Sequence, residues 1–160
     1  EGNTGYRFVI VGDGVKKDEC RREASGISQM EFRDPVTKAD VPRVQMESDV
    51  LIACVLDSAA YRFGLNLNKL FDYFASGRPV IFAGRAPNDP IKESGAGFSV
   101  SPQKPEAMAE ALKRLQALCP AERAEMGKRG RHYVEDHFDM HKLGDRMESL
   151  LLQAVRDRES

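Results

Sequence analysis

Residues 63–81 constrain the fold more than any other part of the chain. They read Phe-Gly-Leu-Asn-Leu-Asn-Lys-Leu-Phe-Asp-Tyr-Phe-Ala-Ser-Gly-Arg-Pro-Val-Ile, a glycine loop, a short helix and then a buried strand. Gly64 permits a tight backbone approach. Leu67, Leu70, Phe71 and Phe74 recur at helical spacing. Gly77 suits the left-handed position that ends a helix, and Pro79 opens the apolar run that follows. A loop entering a helix brings free N–H groups and the positive end of the helix dipole to one place, which favours phosphate. Lys69 falls in the first turn, and Asp72 one turn later offers an acceptor for hydroxyl groups. An anion cradle beside a hydroxyl acceptor suits a nucleotide-sugar.

Around this segment, strand and helix signals alternate, which predicts an α/β fold with a Rossmann-like, mostly parallel sheet. Expected strands cover residues 6–11, 30–33, 50–56, 80–83 and 97–100. Helices are expected over 15–24, 40–47 (Asp40 as cap), the signature segment and 89–94. From Pro105 the pattern turns to consecutive helices. One apolar stripe runs through Met108, Ala111, Leu112, Leu115 and Leu118, another through Met140, Leu143, Met147, Leu150, Leu151 and Ala154. Both are expected to pack on the sheet and on a neighbouring domain. With 160 residues the chain reads as one domain, residues 1–160.

Charges of both signs are interspersed and the net charge is −1, which argues against nucleic acid as a partner. No apolar run reaches the roughly 20 residues that span a bilayer. Cys20, Cys54 and Cys119 are odd in number and widely spaced, so they read as structural, buried thiols of a reducing cytoplasm. There is no metal-like cluster of ligands.

The strongest candidate site is the cradle Gly64, Leu65, Asn66, Asn68 and Lys69, with Asp72 on the same helix face. Its plain alternative is a strand-to-helix connection capped by Asn66, with Lys69 and Asp72 as a surface ion pair. Gly12 and Gly14 flank Asp13 after the first strand, as an ordinary turn or a second binding loop; Lys17 stands where a dinucleotide fingerprint needs a third glycine. Asp57, Ser58 and Arg85 follow strands at the edge where open α/β sheets bind ligands, with Arg85 reading equally as an exposed loop residue. Arg62, just before Phe63-Gly64, reads as solvent-exposed or as a diphosphate contact. Glu93 reads equally as a cleft acid or a helix-ending surface residue. His132, His137 and His141 read as surface or packing residues. The Lys128–Arg131 cluster reads as a solvated face, with acidic lipid headgroups or a neighbouring domain as its other partners.

Asp72-Tyr73-Phe74-Ala75-Ser76-Gly77-Arg78-Pro79-Val80-Ile81 resembles the signature of the donor-binding, C-terminal half of retaining GT-B glycosyltransferases of the family-4 or group 1 type. There the second glutamate of the motif precedes Ala-Met-Ala-x-Gly-x-Pro-Val-Ile; here Asp72 takes its place, and Gly64 stands where the first glutamate belongs. Asn68 to Tyr73 is similar to a branch common in bacterial surface-polysaccharide pathways. Val11-Gly12-Asp13-Gly14, Ser48-Asp49-Val50, Glu93-Ser94-Gly95-Ala96-Gly97 and Met126-Gly127-Lys128-Arg129-Gly130-Arg131 resemble further family motifs. The family's first strand–helix unit, with its diphosphate-gripping Gly-Arg and Lys, and its N-terminal acceptor domain have no counterpart here. Glu1 is an uncommon start, so the sequence is expected to be part of a longer one.

The resemblance implies a retaining hexosyltransferase that needs no metal or other cofactor and takes a nucleotide-sugar, a UDP-sugar in that branch. It places the Gly12–Gly14 loop at the mouth of the donor cleft and makes Asp72 the acceptor of ribose hydroxyls. The catalytic residues stay unassigned. Implied partners are the donor and the acceptor domain of the same enzyme, which acts on a glycan or lipid-linked acceptor. The implied location is the cytoplasm, with peripheral contact to the inner face of the membrane as an option; the isolated domain is expected to be inactive. Two other classes stay open: a GT-B-type UDP-sugar epimerase domain, and a non-catalytic nucleotide-binding or interaction module docking through the C-terminal helices.

Overall fold

The computed structural model describes residues 5–159. Their contacts divide the chain into two compact units, residues 1–41 and 42–160.

In the first unit, β1 (Phe8–Val11) and β2 (Met30–Arg33) pair in parallel, joined by α1 (Lys17–Glu23). Phe8 stands opposite Met30 and Val11 opposite Arg33. Lys17 reaches back to Asp34 at 2.9 Å and ties α1 to the end of β2. Helix α1 starts two residues later than the sequence predicts. No side chain caps its start.

The second unit begins with the body of α2 (Val41–Met46) and builds on a parallel sheet in the order β3-β4-β5, formed by Leu51–Cys54, Val80–Ala83 and Gly97–Val100. The ladder continues past the strands, with the Val55 amide on the Ala83 carbonyl and the Gly84 amide on the Val100 carbonyl. Central β4 is buried along its whole length, so its side chains divide between two cores by their alternation. Val80 and Phe82 join Ala53, Leu65, Leu70, Phe74, Ile91 and Ala96 on one face. Ile81 joins Ala111, Leu115 and Met126 on the other. Phe74, Phe82, Leu70 and Ile81 are almost completely enclosed, and each contributes about 1.5–3 kcal/mol of hydrophobic stabilisation.

Helix α3 (Asn68–Ala75) ends as the sequence predicts, because Gly77 adopts φ +70° and its amide returns to the Phe74 carbonyl. Helix α4 (Pro90–Ser94) is capped at its start by Asp89, whose carboxylate accepts from the Lys92 amide, and closed by Gly95 at φ +65°. Helix α5 (Pro105–Ala117) lays its predicted stripe on the second core.

Helix α6 (Pro120–His137) crosses the first core and packs against α3. Gly130 allows the approach, since a methyl group there would lie 2.9 Å from Ala96 Cβ and 3.0 Å from the Phe74 ring. Arginines close several helix ends. Arg129 Nε donates to the Gly95 carbonyl at 3.0 Å and Arg131 Nη1 to the Ala75 carbonyl at 3.3 Å. Arg123 donates to the Leu115 carbonyl at the end of α5, and Arg78 to the Met46 carbonyl at the end of α2. Each cation meets a carbonyl at the negative end of a helix.

Helix α7 (Met140–Glu159) departs from expectation. Its stripe through Met140, Leu143, Met147, Leu150 and Leu151 is exposed rather than packed on the sheet. An amphipathic period fixes which side of a helix is apolar but not what covers it. The cysteines depart too: Cys20, Cys54 and Cys119 are unpaired and exposed. Each lies at a helix surface, a strand end or a helix cap rather than in a core.

Candidate functional site

Strand β3 leaves the sheet at Cys54 and its connection returns as α3, so α3 begins at the edge formed by the C-terminal ends of the strands. The connection from β4 to α4 opens at the same edge. Open α/β sheets bind ligands along this edge.

The connection from β3 begins with Asp57 and Ser58. Ser58 Oγ accepts from the Ala60 amide and starts a 3₁₀ turn over Ala59–Tyr61. Arg62 lies over the Phe63 ring at 4.5 Å, and Phe63 is 85% exposed. Gly64 then adopts φ +130°, a value that L side chains rarely adopt. Leu65 turns inward and is 5% exposed. Its backbone is held by Asn88 from the neighbouring connection: the Leu65 amide donates to Asn88 Oδ1 at 2.6 Å, and Asn88 Nδ2 donates to the Leu65 carbonyl at 2.9 Å.

Asn66 does not cap the helix. The cap position falls to Leu67, which has no side-chain acceptor to offer, and Asn68 is the first helical residue. Burial of Leu65 and packing of Leu67 against the core set the register, which spacing alone does not. The amides of Asn68 and Lys69 consequently have no hydrogen-bond partner among the described residues. A helix start in this condition carries exposed positive charge and open donors. The Leu65 amide, in contrast, is taken by Asn88.

Lys69 and Asp72 are both exposed. Their side chains form no ion pair with each other, so the plain surface-pair reading is not realised. The Lys69 ammonium is felt at Cys54, where it draws the thiol pKa down against the larger upward effect of burial. Asp72 contributes to raising the Tyr73 phenol, behind burial and Cys54; the Tyr73 hydroxyl faces the Ile52 carbonyl at 3.4 Å. The α3 start therefore presents free amides, an exposed cation and an unpaired carboxylate within one turn of helix.

Two cavities lie along the edge. One of about 410 Å³ is lined by Asp57, Ser58, Tyr61, Arg62, Arg85 and Pro87. The other, about 190 Å³, is lined by Gly84, Arg85, Asn88, Asp89, Lys92 and Ser99. Arg85 borders both and sits 3.9 Å from Asp57. Asp89 Oδ1 accepts from Ser99 Oγ at 2.7 Å as well as from the Lys92 amide, which stiffens the second connection.

Gly12 and Gly14 belong to the first unit. Gly12 has φ +137° at the end of β1, its amide 3.4 Å from the Arg33 carbonyl, and Gly14 accepts from the Lys17 amide in the turn into α1. Nothing lies within 4 Å of a methyl group built on either, so space is open beside both.

Glu93 is engaged in structure: Tyr133 donates to its Oε2 at 2.7 Å. His137 stacks on Tyr133 at 4.5 Å. Lys128 pairs with Glu125, and Arg129 and Arg131 serve helix ends. Asn88 is the residue that sequence reasoning missed, because a loop asparagine carries no signal of the backbone it will meet. Among the described residues there is no cluster of side chains able to hold a metal ion, and no helix is long and apolar enough to cross a membrane.

The sequence model of the family described as "Glycosyl transferases group 1" matches residues 1–117. No curated protein matches the chain. Among solved structures, the chain is similar to Anabaena Alr3699/HepE in complex with UDP, with TM-score 0.73 and 15% identity over 94% of this chain and 42% of that one. It is also similar to sucrose-phosphate synthase from Thermosynechococcus elongatus (TM-score 0.72, 18% identity, 93% of this chain and 38% of that one). A third is an α,α-trehalose-phosphate synthase (UDP-forming) from Burkholderia vietnamiensis, with TM-score 0.71 and 19% identity over 96% of this chain and 37% of that one. The shared architecture is the GT-B fold, parallel sheets flanked by helices with a helical C-terminus. The chain spans about two fifths of the length of these structures.

Proposed function

The chain belongs to the group 1 glycosyltransferases, and from that premise we propose that it binds the nucleotide-sugar donor of a transferase. The observation that carries the proposal is the uncapped start of α3, preceded by Gly64 at φ +130° and bearing the exposed, unpaired Lys69 and Asp72. In this reading the amides of Asn68 and Lys69, the α3 dipole and the Lys69 ammonium receive the diphosphate. Asp72 accepts ribose hydroxyls. Gly12 and Gly14, in the first unit, are proposed as nucleotide-binding positions of their own, where open space lies beside both glycines. UDP in the Anabaena structure and the UDP-forming reaction of the Burkholderia enzyme support uridine as the base.

The whole protein is proposed to transfer the sugar, with retention, to a glycan or lipid-linked acceptor held by another domain. The bond from the anomeric carbon to the phosphate oxygen breaks, and the diphosphate leaves with the electron pair. The acceptor oxygen bonds to the anomeric carbon, and its proton passes to the departing phosphate. Charge grows on the diphosphate during this step, where preorganised donors are most effective. Holding the acceptor against the anomeric carbon, on the face from which the diphosphate leaves, supplies about 7–11 kcal/mol of the barrier; residues 1–160 alone are proposed to bind donor without transferring it.

A thermal-shift panel of UDP-, GDP- and ADP-sugars tests the donor reading, because a ligand that binds the folded state raises its melting temperature by mass action. A rise with the UDP-sugars is expected. No shift and no calorimetric binding of UDP at millimolar concentration would remove the reading.

A further inference from the structure

We propose that Asn88 is a positioning residue for the phosphate site, holding the connection before α3 so that the free amides of Asn68 and Lys69 face a nucleoside diphosphate. The inference rests on the nucleotide-sugar reading of the α3 start given above.

A single primary amide satisfies both backbone groups of Leu65, through hydrogen bonds of 2.6 and 2.9 Å. Two contacts of opposite polarity to one residue fix its rotation as well as its distance. A primary amide supplies an acceptor and a donor side by side in this way at any pH. Gly64 makes room for it: a methyl group there would meet Asn88 Oδ1 at 3.2 Å and would have to be carried at φ +130°. The Leu65 side chain is meanwhile sunk in the first core. The loop is thus anchored from below by its side chain and from above by Asn88.

Asn88 is itself held. The adjacent Asp89 accepts from Ser99 on β5 and from the Lys92 amide that opens α4. The chain of contacts runs from β5 through Asp89 and Asn88 to Leu65, three residues before α3 starts. It joins the connections leaving β3 and β4 at the binding edge. The single N–H of Leu65 is spent on Asn88 and is not open to a ligand. The role is therefore preorganisation, not contact. A loop that populates its binding-competent arrangement only part of the time binds more weakly by that fraction.

The test compares the parent chain with Asn88→Ala and Gly64→Ala, each titrated calorimetrically with UDP and with uridine, and follows backbone amide exchange over residues 64–70 without ligand. Asn88→Ala is expected to bind UDP about fivefold or more weakly, as a loop populated one fifth of the time would. Its affinity for uridine should change less than twofold, while exchange at the hydrogen-bonded amides of Leu65 and Leu70 quickens. Gly64→Ala should give the same pattern, by pushing Asn88 away without removing it. Unchanged UDP affinity in Asn88→Ala, beside a parent that binds UDP, overturns the positioning role and leaves the donor reading standing. Equal losses for UDP and uridine also overturn it, as a general loosening of the fold. A parent that binds neither ligand removes the donor reading, and this role with it.

Discussion

Gly127 on α6 lies so close to Gly77, the residue that closes α3, that a methyl group on Gly127 would stand 1.8 Å from the Gly77 carbonyl oxygen. The same methyl would be 2.5 Å from the Gly77 carbonyl carbon and 3.1 Å from the Arg78 nitrogen. All three are backbone atoms, which cannot step aside as a flexible side chain would. The Met-Gly-x-x-Gly-Arg run of α6 is thereby explained by packing: Gly127 and Gly130 let the helix lie on α3, and Arg131 then reaches the Ala75 carbonyl.

Gly127→Ala should therefore destabilise the second unit by about 1–3 kcal/mol, the usual cost of overpacking, or more if α6 must move bodily. Gly144→Ala on α7 is the matched control, because nothing lies within 4 Å of the added methyl. There the better helix propensity of alanine should stabilise by about 0.5–1 kcal/mol. Melting temperatures should move in opposite directions, by roughly 2–4 °C per kcal/mol for a chain of this size. A Gly127→Ala variant as stable as the parent would show that the contact is slack.

Asp72→Ala should weaken UDP binding by about 1.5–3 kcal/mol, the range for hydrogen bonds to a charged acceptor, without changing the melting temperature. The carboxylate makes no ion pair or hydrogen bond among the described residues, so the fold loses nothing with it. Calorimetric titration with UDP measures the first effect and a melting curve the second. Equal UDP affinity in parent and variant would make Asp72 a plain surface acid.

Much of this architecture was legible in the sequence. β2, β4 and β5 have the predicted limits; for β4 the reason is local, a Val-Ile-Phe run bounded by Pro79 and Gly84. Gly77 was readable as a helix terminator for a local reason, its place just past the last apolar residue of α3. The misread features depend on distant chain. Asn66 was a reasonable cap until Leu65 and Leu67 were seen anchored in the core. Gly127 resembled a motif glycine of unspecified purpose until Gly77 lay against it. Asn88 needed the Leu65 backbone as its partner, and the α7 stripe needed a surface that periodicity cannot supply.

Lys69→Ala should weaken UDP more than uridine, because a phosphate partner is felt only when phosphate is present, and the difference should shrink as salt screens the pair. Cys54 offers a second readout. The Lys69 ammonium holds the Cys54 thiol pKa lower than burial alone would leave it. Removing the ammonium should raise that pKa, lower the thiolate fraction and slow alkylation of Cys54. Cys20 and Cys119, also exposed, are replaced by serine so that one site is followed. Unchanged alkylation would place the ammonium too far from β3 to matter there, and equal losses for UDP and uridine would make Lys69 a support of the helix only.

Tyr133 should give the second unit an alkaline limit. Its phenol is pushed up from 10.0 to about 12, first by burial and then by its hydrogen bond to Glu93. The ring meets Phe74 edge-on at 5.8 Å, so the hydroxyl links α6 to α4 across the first core. Below pH 10 the phenol is protonated whether the chain is folded or unfolded, and its contribution is complete. Between pH 10 and about 12 the unfolded chain releases the proton while the folded chain retains it, which favours unfolding progressively. Above that window the contribution is gone, because a phenolate facing the Glu93 carboxylate repels it. Tyr133→Phe keeps the ring and loses the hydrogen bond, so it should cost about 1 kcal/mol at neutral pH and flatten the stability profile above pH 10. Denaturant melts of both proteins from neutral pH into this window decide the matter. Parallel profiles for parent and variant would show that Tyr133 titrates no differently in the folded chain than in the unfolded one.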